Sequence, residues 1–387
     1  KKKKKEKKIL YQLIFSAFLL FSNAYLVKAN SDILSQDSTG KYCINTEQDY
    51  YNFIENIQNY NNKTVILCND IDISDVPEAT SSFGGILNGK GHTITYASKE
   101  AKENIAVFPF RINDNGIVEN INVQIDESYA YNSETDEFQT VFSRCDGIAK
   151  GITIKGNVTC IYDDEDTDVY IGAIEGNGTL MDSSIAITYD LQSEKTIEEI
   201  ADDIVDNDLS FEFCQLGTIN TGITYQNCIG YGQYSEAIKS LADELEPKIK
   251  DNTWGYLCVS FTRKSFFSTS ASATNCYYDK ENMPDIKIMS EYITNRDNNK
   301  EFPNYADFGK TTSEMKNQGT YEGFDFNKKW TISPEDNNGY PYYNPQTEEI
   351  TLKVQASTEP KVWSTSVSRG YNRFVDYAKN YHFPYQV

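Results

Sequence analysis

The stretch Val107–Ile125, "VFPFRINDNGIVENINVQI", decides how this chain folds, because close variants of it return three times. They are "VFSRCDGIAKGITIKGNV" from Val141, "YIGAIEGNGTLMDSSIAI" from Tyr170 and "QLGTINTGITYQNCIGYG" from Gln215. Each copy carries a short apolar run, a Gly-rich turn and a second apolar run ending in a small or polar residue. One such unit cannot cover its own apolar side chains. Successive units must lie on one another, with parallel, in-register strands pairing and like residues stacked. The expected architecture is therefore all-β and stacked, a solenoid spanning residues 64–310.

Aligned on the second apolar run, the units fall at Asn120-Ile121, Gly151-Ile152, Ser184-Ile185, Asn227-Cys228 and Asn275-Cys276, with steps of 31, 33, 43 and 48 residues. The lengthening has a visible source. "SEKTIEEIADDIVDND" (193–208) and "SEAIKSLADELEPKIK" (235–250) carry apolar residues at helical spacing with acidic faces, the pattern of inserted surface helices. Without them the unit shrinks toward roughly 25 to 33 residues, one coil of a solenoid. The shared motif position also sets Cys228 and Cys276 one rung apart, near the strand spacing of about 4.8 Å. That separation suits either a disulfide or a ladder of free inward thiols.

The flanks read differently. Residues 1–29 combine a lysine-rich start, an apolar segment from Ile9 to about Leu20, and Val27 and Ala29 placed as in a small-residue cleavage site. The segment reads as a secretory signal, with an uncleaved anchor as the alternative, and no membrane insertion is expected once it is removed. In residues 30–63, Thr46 with Asp49 three positions on resembles a capping box, and Tyr50, Phe53, Ile54 and Ile57 share helical spacing. This predicts a short capping helix. At the other end, residues 311–343 place an aromatic every few positions and close on Gly-Tyr-Pro, which predicts an aromatic cap plugging the last coil. The tail, residues 344–387, offers only Tyr371, Phe374, Tyr377, Ala378 and Tyr381 at helix-like spacing.

Charge narrows the partners. The net charge is -21, and removing the basic leader leaves about -28, a field that repels polyanions. Nucleic acid and anionic membranes are poor partners for such a chain. Eight cysteines permit disulfides in an exported protein or pack as buried thiols, and with two histidines and no CxxC a zinc site is not expected.

The wording of "FGGILNGKGHTI", "IGAIEGNGTLMDSSI", "TNCYYDKE" and "TTSEMKNQGTYEGFDFNKKWTI…NNGYPYY", in that order, resembles the GLUG-motif repeat proteins, secreted and surface-attached bacterial adhesin-like chains. The similarity spans roughly Thr46 to Tyr343. It implies a right-handed parallel β-helix and a cell-surface or extracellular location. The chain departs from the pattern at "VFPF", in the two helical insertions, in its many cysteines and in lacking a wall-anchoring signal.

Residues with chemical potential mostly have a plainer role. His92, in "GKGHTI", is a turn histidine before it is a catalytic base, and His382 stands alone among aromatics. The acidic run 163–168 lacks the glycine and distal glutamate of a helix-loop-helix calcium loop and reads as a solvated loop. Asp70 and Asp72 share one strand face; such a pair could hydrolyse a glycoside, although alternation with Ile71 and Ile73 explains both as outward positions. Trp254, Tyr256, Tyr277 and Tyr278 are candidates for an aromatic face that stacks sugar rings, against the plainer role of filling the cap and insertions. Asn62, Asn157 and Asn177 open glycosylation sequons. No metal, cofactor or catalytic set is expected. The leading expectation is an adhesin-like protein binding a glycan or protein of a host or neighbouring cell, with a polysaccharide-cleaving enzyme and a structural spacer as rivals.

Overall fold

The computed structural model describes residues 34–344, apart from 75, 78, 80, 98–105, 132–138, 163–166, 217–221, 251–252, 261–271, 285, 289 and 291–307. The expected leader, the tail with His382, and most of the acidic run lie outside the described residues.

Among the described residues nine strands pair in chain order, every neighbour parallel: β1 (Tyr42–Ile44), β2 (Thr64–Leu67), β3 (Ile86–Asn88), β4 (Ile117–Tyr131), β5 (Ile148–Tyr162), β6 (Ser184–Gln192), β7 (Ile229–Gly230), β8 (Tyr277–Asp279) and β9 (Gly309–Lys310). The chain is mostly β, with long parallel sheets laid down one rung at a time, a parallel solenoid-like fold. Period-two alternation builds each rung. In β5, Ala149, Ile152, Ile154, Val158, Cys160 and Tyr162 point to the core, while Lys155 and Asn157 face outward.

A second sheet closes the other side of the core. Phe108–Ile112, Gln139–Cys145, Val169–Gly176, Ser210–Cys214 and Tyr256–Ser260 pair parallel, and Ile286–Ile288 joins the last of them antiparallel. Stacking like on like runs through the interior, where the Phe108 and Phe142 rings lie face to face with centroids 4.3 Å apart.

Glycine sets the turn that enters each rung. Gly85, Gly116, Gly147 and Gly178 are spaced by 31 residues, and the carbonyl of each accepts from the N–H that opens the next rung: Ile117, Ile148, Thr179 and Thr224. A Cβ on Gly147 would strike the carbonyl oxygens of Asn113 and Gly116. The backbones pass too closely there for any side chain.

A bend follows within each rung. Asn120, Gly151, Asp182, Asn227 and Asn275 all take positive φ, between 49° and 63°. Register places them in one column, since Met181 pairs with Lys150 and Gln226, and Gln226 with Thr274. The third unit is therefore anchored at Asp182-Ser183, two residues before the Ser184-Ile185 chosen from apolar content. Asp182 tolerates the left-handed backbone the bend demands, whereas Ser184 already lies in the strand beyond it.

Among the described residues four α-helices decorate this frame: α1 (Glu47–Glu55), α2 (Ile197–Asp206), α3 (Glu236–Leu245) and the single-turn α4 (Thr312–Met315). The Thr46–Asp49 capping box opens α1 in both directions. Its Tyr50 hydroxyl donates to the Val107 carbonyl at 2.7 Å, and Phe53 meets Phe83 and Phe110 edge-on. α2 and α3 fall inside the two expected insertions. They bury Ile200, Ala201 and Ile204, and Ile238, Leu241, Ala242 and Leu245. Lys248 ties their acidic faces together through Asp202 at 2.7 Å and Glu244 at 3.4 Å.

The aromatic segment does not stop at the last coil as a plug. After α4 it runs back along the flank as a strap over the bend column. Gly323 crosses Asn275 and Asn227, Lys329 pairs with Asp182, and Tyr343 packs over Gly151. Met315, Tyr321, Trp330, Tyr340 and Tyr343 form a cluster with Ile229 and Tyr277 of the rungs. The corner residues recess the surface, and the rings fill the recess instead of sealing an end.

Candidate functional surface

The side chains that face out from β4, β5 and β6 line up in columns because the register is continuous. One column is Thr95, Gln124, Lys155 and Ala186; the next is Asp126, Asn157, Thr188 and Gln233. Gln124, Asp126, Asn157 and Gln233 are exposed, and Thr95, Lys155 and Thr188 half-buried. Parallel pairing repeats these amide and hydroxyl groups about every 4.8 Å across the sheet. Such a surface offers many hydrogen bonds to an extended ligand, with Asp126 as its exposed charge.

Beside it lies the bend column, which the strap closes. Asn275 Nδ2 donates to Asn227 Oδ1 at 3.3 Å, Asn227 Nδ2 to Asp182 Oδ1 at 3.0 Å, and Lys329 Nζ to Asp182 Oδ2 at 3.1 Å. The chain of bonds breaks at Gly151, which has no side chain to offer, and Asn120 Oδ1 is buried there without a hydrogen bond among the described residues. Tyr343 occupies the space that Gly151 leaves. Further along, the Tyr340 ring stacks on Tyr231 with centroids 4.5 Å apart, and Lys155 Nζ donates to Asn337 Oδ1 at 2.5 Å. The strap is anchored to β8 through Asp279. This buried carboxylate accepts from the hydroxyls of Tyr340 and Thr312, from Asn282 Nδ2, and from the N–H groups of Glu281 and Asn282.

The aromatic face expected from Trp254, Tyr256, Tyr277 and Tyr278 does not assemble. Trp254 is 44% exposed at the end of the loop after α3, while the three tyrosines are at most 9% exposed. Tyr256 donates to Glu212 at 2.6 Å inside the second sheet, Tyr278 belongs to the main core, and Tyr277 lies under Tyr321 and Phe324 of the strap. Tyr278 is buried because it points inward, and Tyr277 because the strap covers its side of the strand.

Asp70 and His92 lie together, but as a turn lock. Asp70 Oδ1 accepts from the Thr93 N–H at 2.8 Å and contacts His92 Nδ1 at 3.0 Å. The Thr93 N–H above all, with His92 adding to it against the opposing effect of burial, holds the Asp70 carboxyl below the ordinary range. Asp72 is exposed two residues beyond. Of the acidic run, Asp168 is described, and it accepts from the Ser210 N–H and the Tyr170 hydroxyl.

Cys43 and Cys68 form a disulfide across β1 and the end of β2. Cys228 and Cys276 face each other on adjacent rungs as free, buried thiols. Both belong to an inward column that begins with Ser183. Each of the three donates to the carbonyl two residues back, Ser183 to Met181 at 2.7 Å, Cys228 to Gln226 at 3.4 Å and Cys276 to Thr274 at 3.5 Å. The shared motif position places Cys228 and Cys276 one rung apart in the sequence, and the S/C that follows each bend residue extends that column to Ser183. Sequons Asn62, Asn157 and Asn177 are exposed. No helix among the described residues is long and apolar enough to cross a membrane.

No known protein family, curated protein or solved structure matches the chain.

Proposed function

We propose that the chain is an exported, adhesin-like protein of the GLUG type, a right-handed parallel β-helix with α1 capping its first rung. It binds a glycan or protein of a host or neighbouring cell through its lateral face, without catalysis. The observation that carries this reading is the pair of in-register polar columns, Thr95–Gln124 and Asp126–Asn157–Thr188–Gln233. A hydroxyl-rich polymer meets amides and hydroxyls at a repeat set by the rungs, so many weak bonds add along its length. The acidic α2 and α3 flank the frame and repel anionic competitors.

A glycan-array and cell-surface-protein screen with the mature chain, run beside a polysaccharide-degradation assay, tests it. Binding that falls at least tenfold in Gln124→Ala/Asn157→Ala supports the lateral face. Sugar cleavage abolished by Asp70→Asn or Asp72→Asn would replace it with the enzyme.

A further inference from the structure

Lys155 carries a charge without a counter-charge. Its ammonium lies half-buried on β5 beside the strap, no carboxylate pairs with it among the described residues, and its partner is the Asn337 side-chain oxygen at 2.5 Å. Burial pushes the Lys155 amine below the ordinary lysine range, which raises its neutral, nucleophilic fraction.

The amide it touches is held at both ends by one hydroxyl. Tyr231 Oη donates to Asn337 Oδ1 at 3.2 Å and accepts from Asn337 Nδ2 at 3.0 Å. Burial pushes the Tyr231 phenol up to about 12, so the hydroxyl keeps its proton at neutral pH. The Tyr340 ring stacked on Tyr231 shields the group from water.

We propose that Lys155 and Asn337 join as an intramolecular isopeptide bond. The ammonium first loses a proton to solvent. The neutral Nζ then adds to Asn337 Cγ, and the carbonyl electron pair moves onto Oδ1, where the Tyr231 O–H steadies the developing charge. As the carbonyl re-forms, the Cγ–Nδ2 bond breaks. The proton shed by Nζ passes through the Tyr231 oxygen to Nδ2, which leaves as ammonia. An amine and a primary amide give a secondary amide and ammonia, with no oxidant or reductant needed. Held contact replaces a bimolecular encounter, and a neutral amide replaces a half-buried cation. The bond ties the strap to β5 across 182 residues of chain.

The measurement is the intact mass of the folded full chain, followed by peptide mapping. The expected result is a deficit of one ammonia and a branched peptide linking Lys155 to Asn337, both lost in Lys155→Arg. Tyr231→Phe keeps the ring stack and is expected to keep the strap docked while losing most of the branched peptide; undiminished linkage in that variant would overturn the hydroxyl as proton carrier. Full sequence mass with Lys155 open to an amine reagent after unfolding would overturn the bond itself. So would a deficit found only in linear peptides, since a succinimide at Asn338-Gly339 also releases ammonia.

Discussion

The Tyr340 hydroxyl donates to the Asp279 carboxylate at 2.5 Å, joining the far part of the strap to β8. Burial and then the carboxylate hold the phenol well above its ordinary range, so the donor stays protonated. Tyr340→Phe keeps the ring against Tyr231 and removes the bond. Asp279 retains four other donors, so the expected loss is about 1–2 kcal/mol, whereas Asp279→Ala strands those donors and costs about 3 kcal/mol or more. Urea unfolding measures both.

The column Ser183–Cys228–Cys276 makes a substitution prediction that size alone would not. Since Ser183 already performs the task of the thiols, Cys228→Ser is expected to change stability by less than about 1 kcal/mol, and Cys228→Leu to cost about 2–3 kcal/mol by overpacking. Thermal melts of the two variants would separate these outcomes. Burial also raises the Cys228 thiol well above its ordinary range, so alkylation in the native state is expected to be far slower than after unfolding.

Gly151→Ala tests the fit of strap to bend. The left-handed backbone costs alanine about 1–2 kcal/mol. Its Cβ would also sit 2.5 Å from the Tyr343 ring, so the end of the strap must shift. Hydrogen exchange is expected to quicken at Trp330–Thr331 and Tyr342–Tyr343, the short antiparallel pair that carries this ring.

Acid weakens the turn around Asp146. Burial alone would raise its carboxyl, but Arg144, the Asn177 N–H and Arg111 together hold it below the ordinary range. A depressed carboxylate stabilises the fold above its unfolded pKa, and the contribution fades as pH falls from about 4 through the lower folded value. Asp146→Asn is expected to flatten stability over that interval and to leave its slope near neutral pH unchanged, as pH-resolved urea midpoints would show.

Reduction isolates the first rungs. Opening Cys43–Cys68, separated by 25 residues, is expected to cost about 3.5 kcal/mol on the chain-entropy estimate. Urea midpoints with and without reductant measure it.

Alternation and repetition were enough to predict stacked parallel strands, because burying one face of every strand needs a neighbour of the same kind. The inserted helices were equally legible from their apolar spacing, and Thr196 with Glu199 repeats the capping signal read at Thr46. The bend column was harder. Asp182 and Asn120 share a backbone conformation but no hydrophobicity, so aligning on apolar runs slid the third unit by two residues. The surface was least legible. Whether Tyr277 faces solvent depends on where residues 311–343 travel, and the path of the strap is set by recesses that exist only once the rungs have stacked. Contacts such as Lys155 to Asn337 join residues 182 apart and leave no local trace.

The strap has a consequence for biogenesis. The residues that cover Gly151 and Asp182 are made long after them, so a chain folding from its N-terminus leaves that flank bare until residues 323–343 have been added. An interrupted product carries an open seam, and degradative proteases can tell it from the finished molecule.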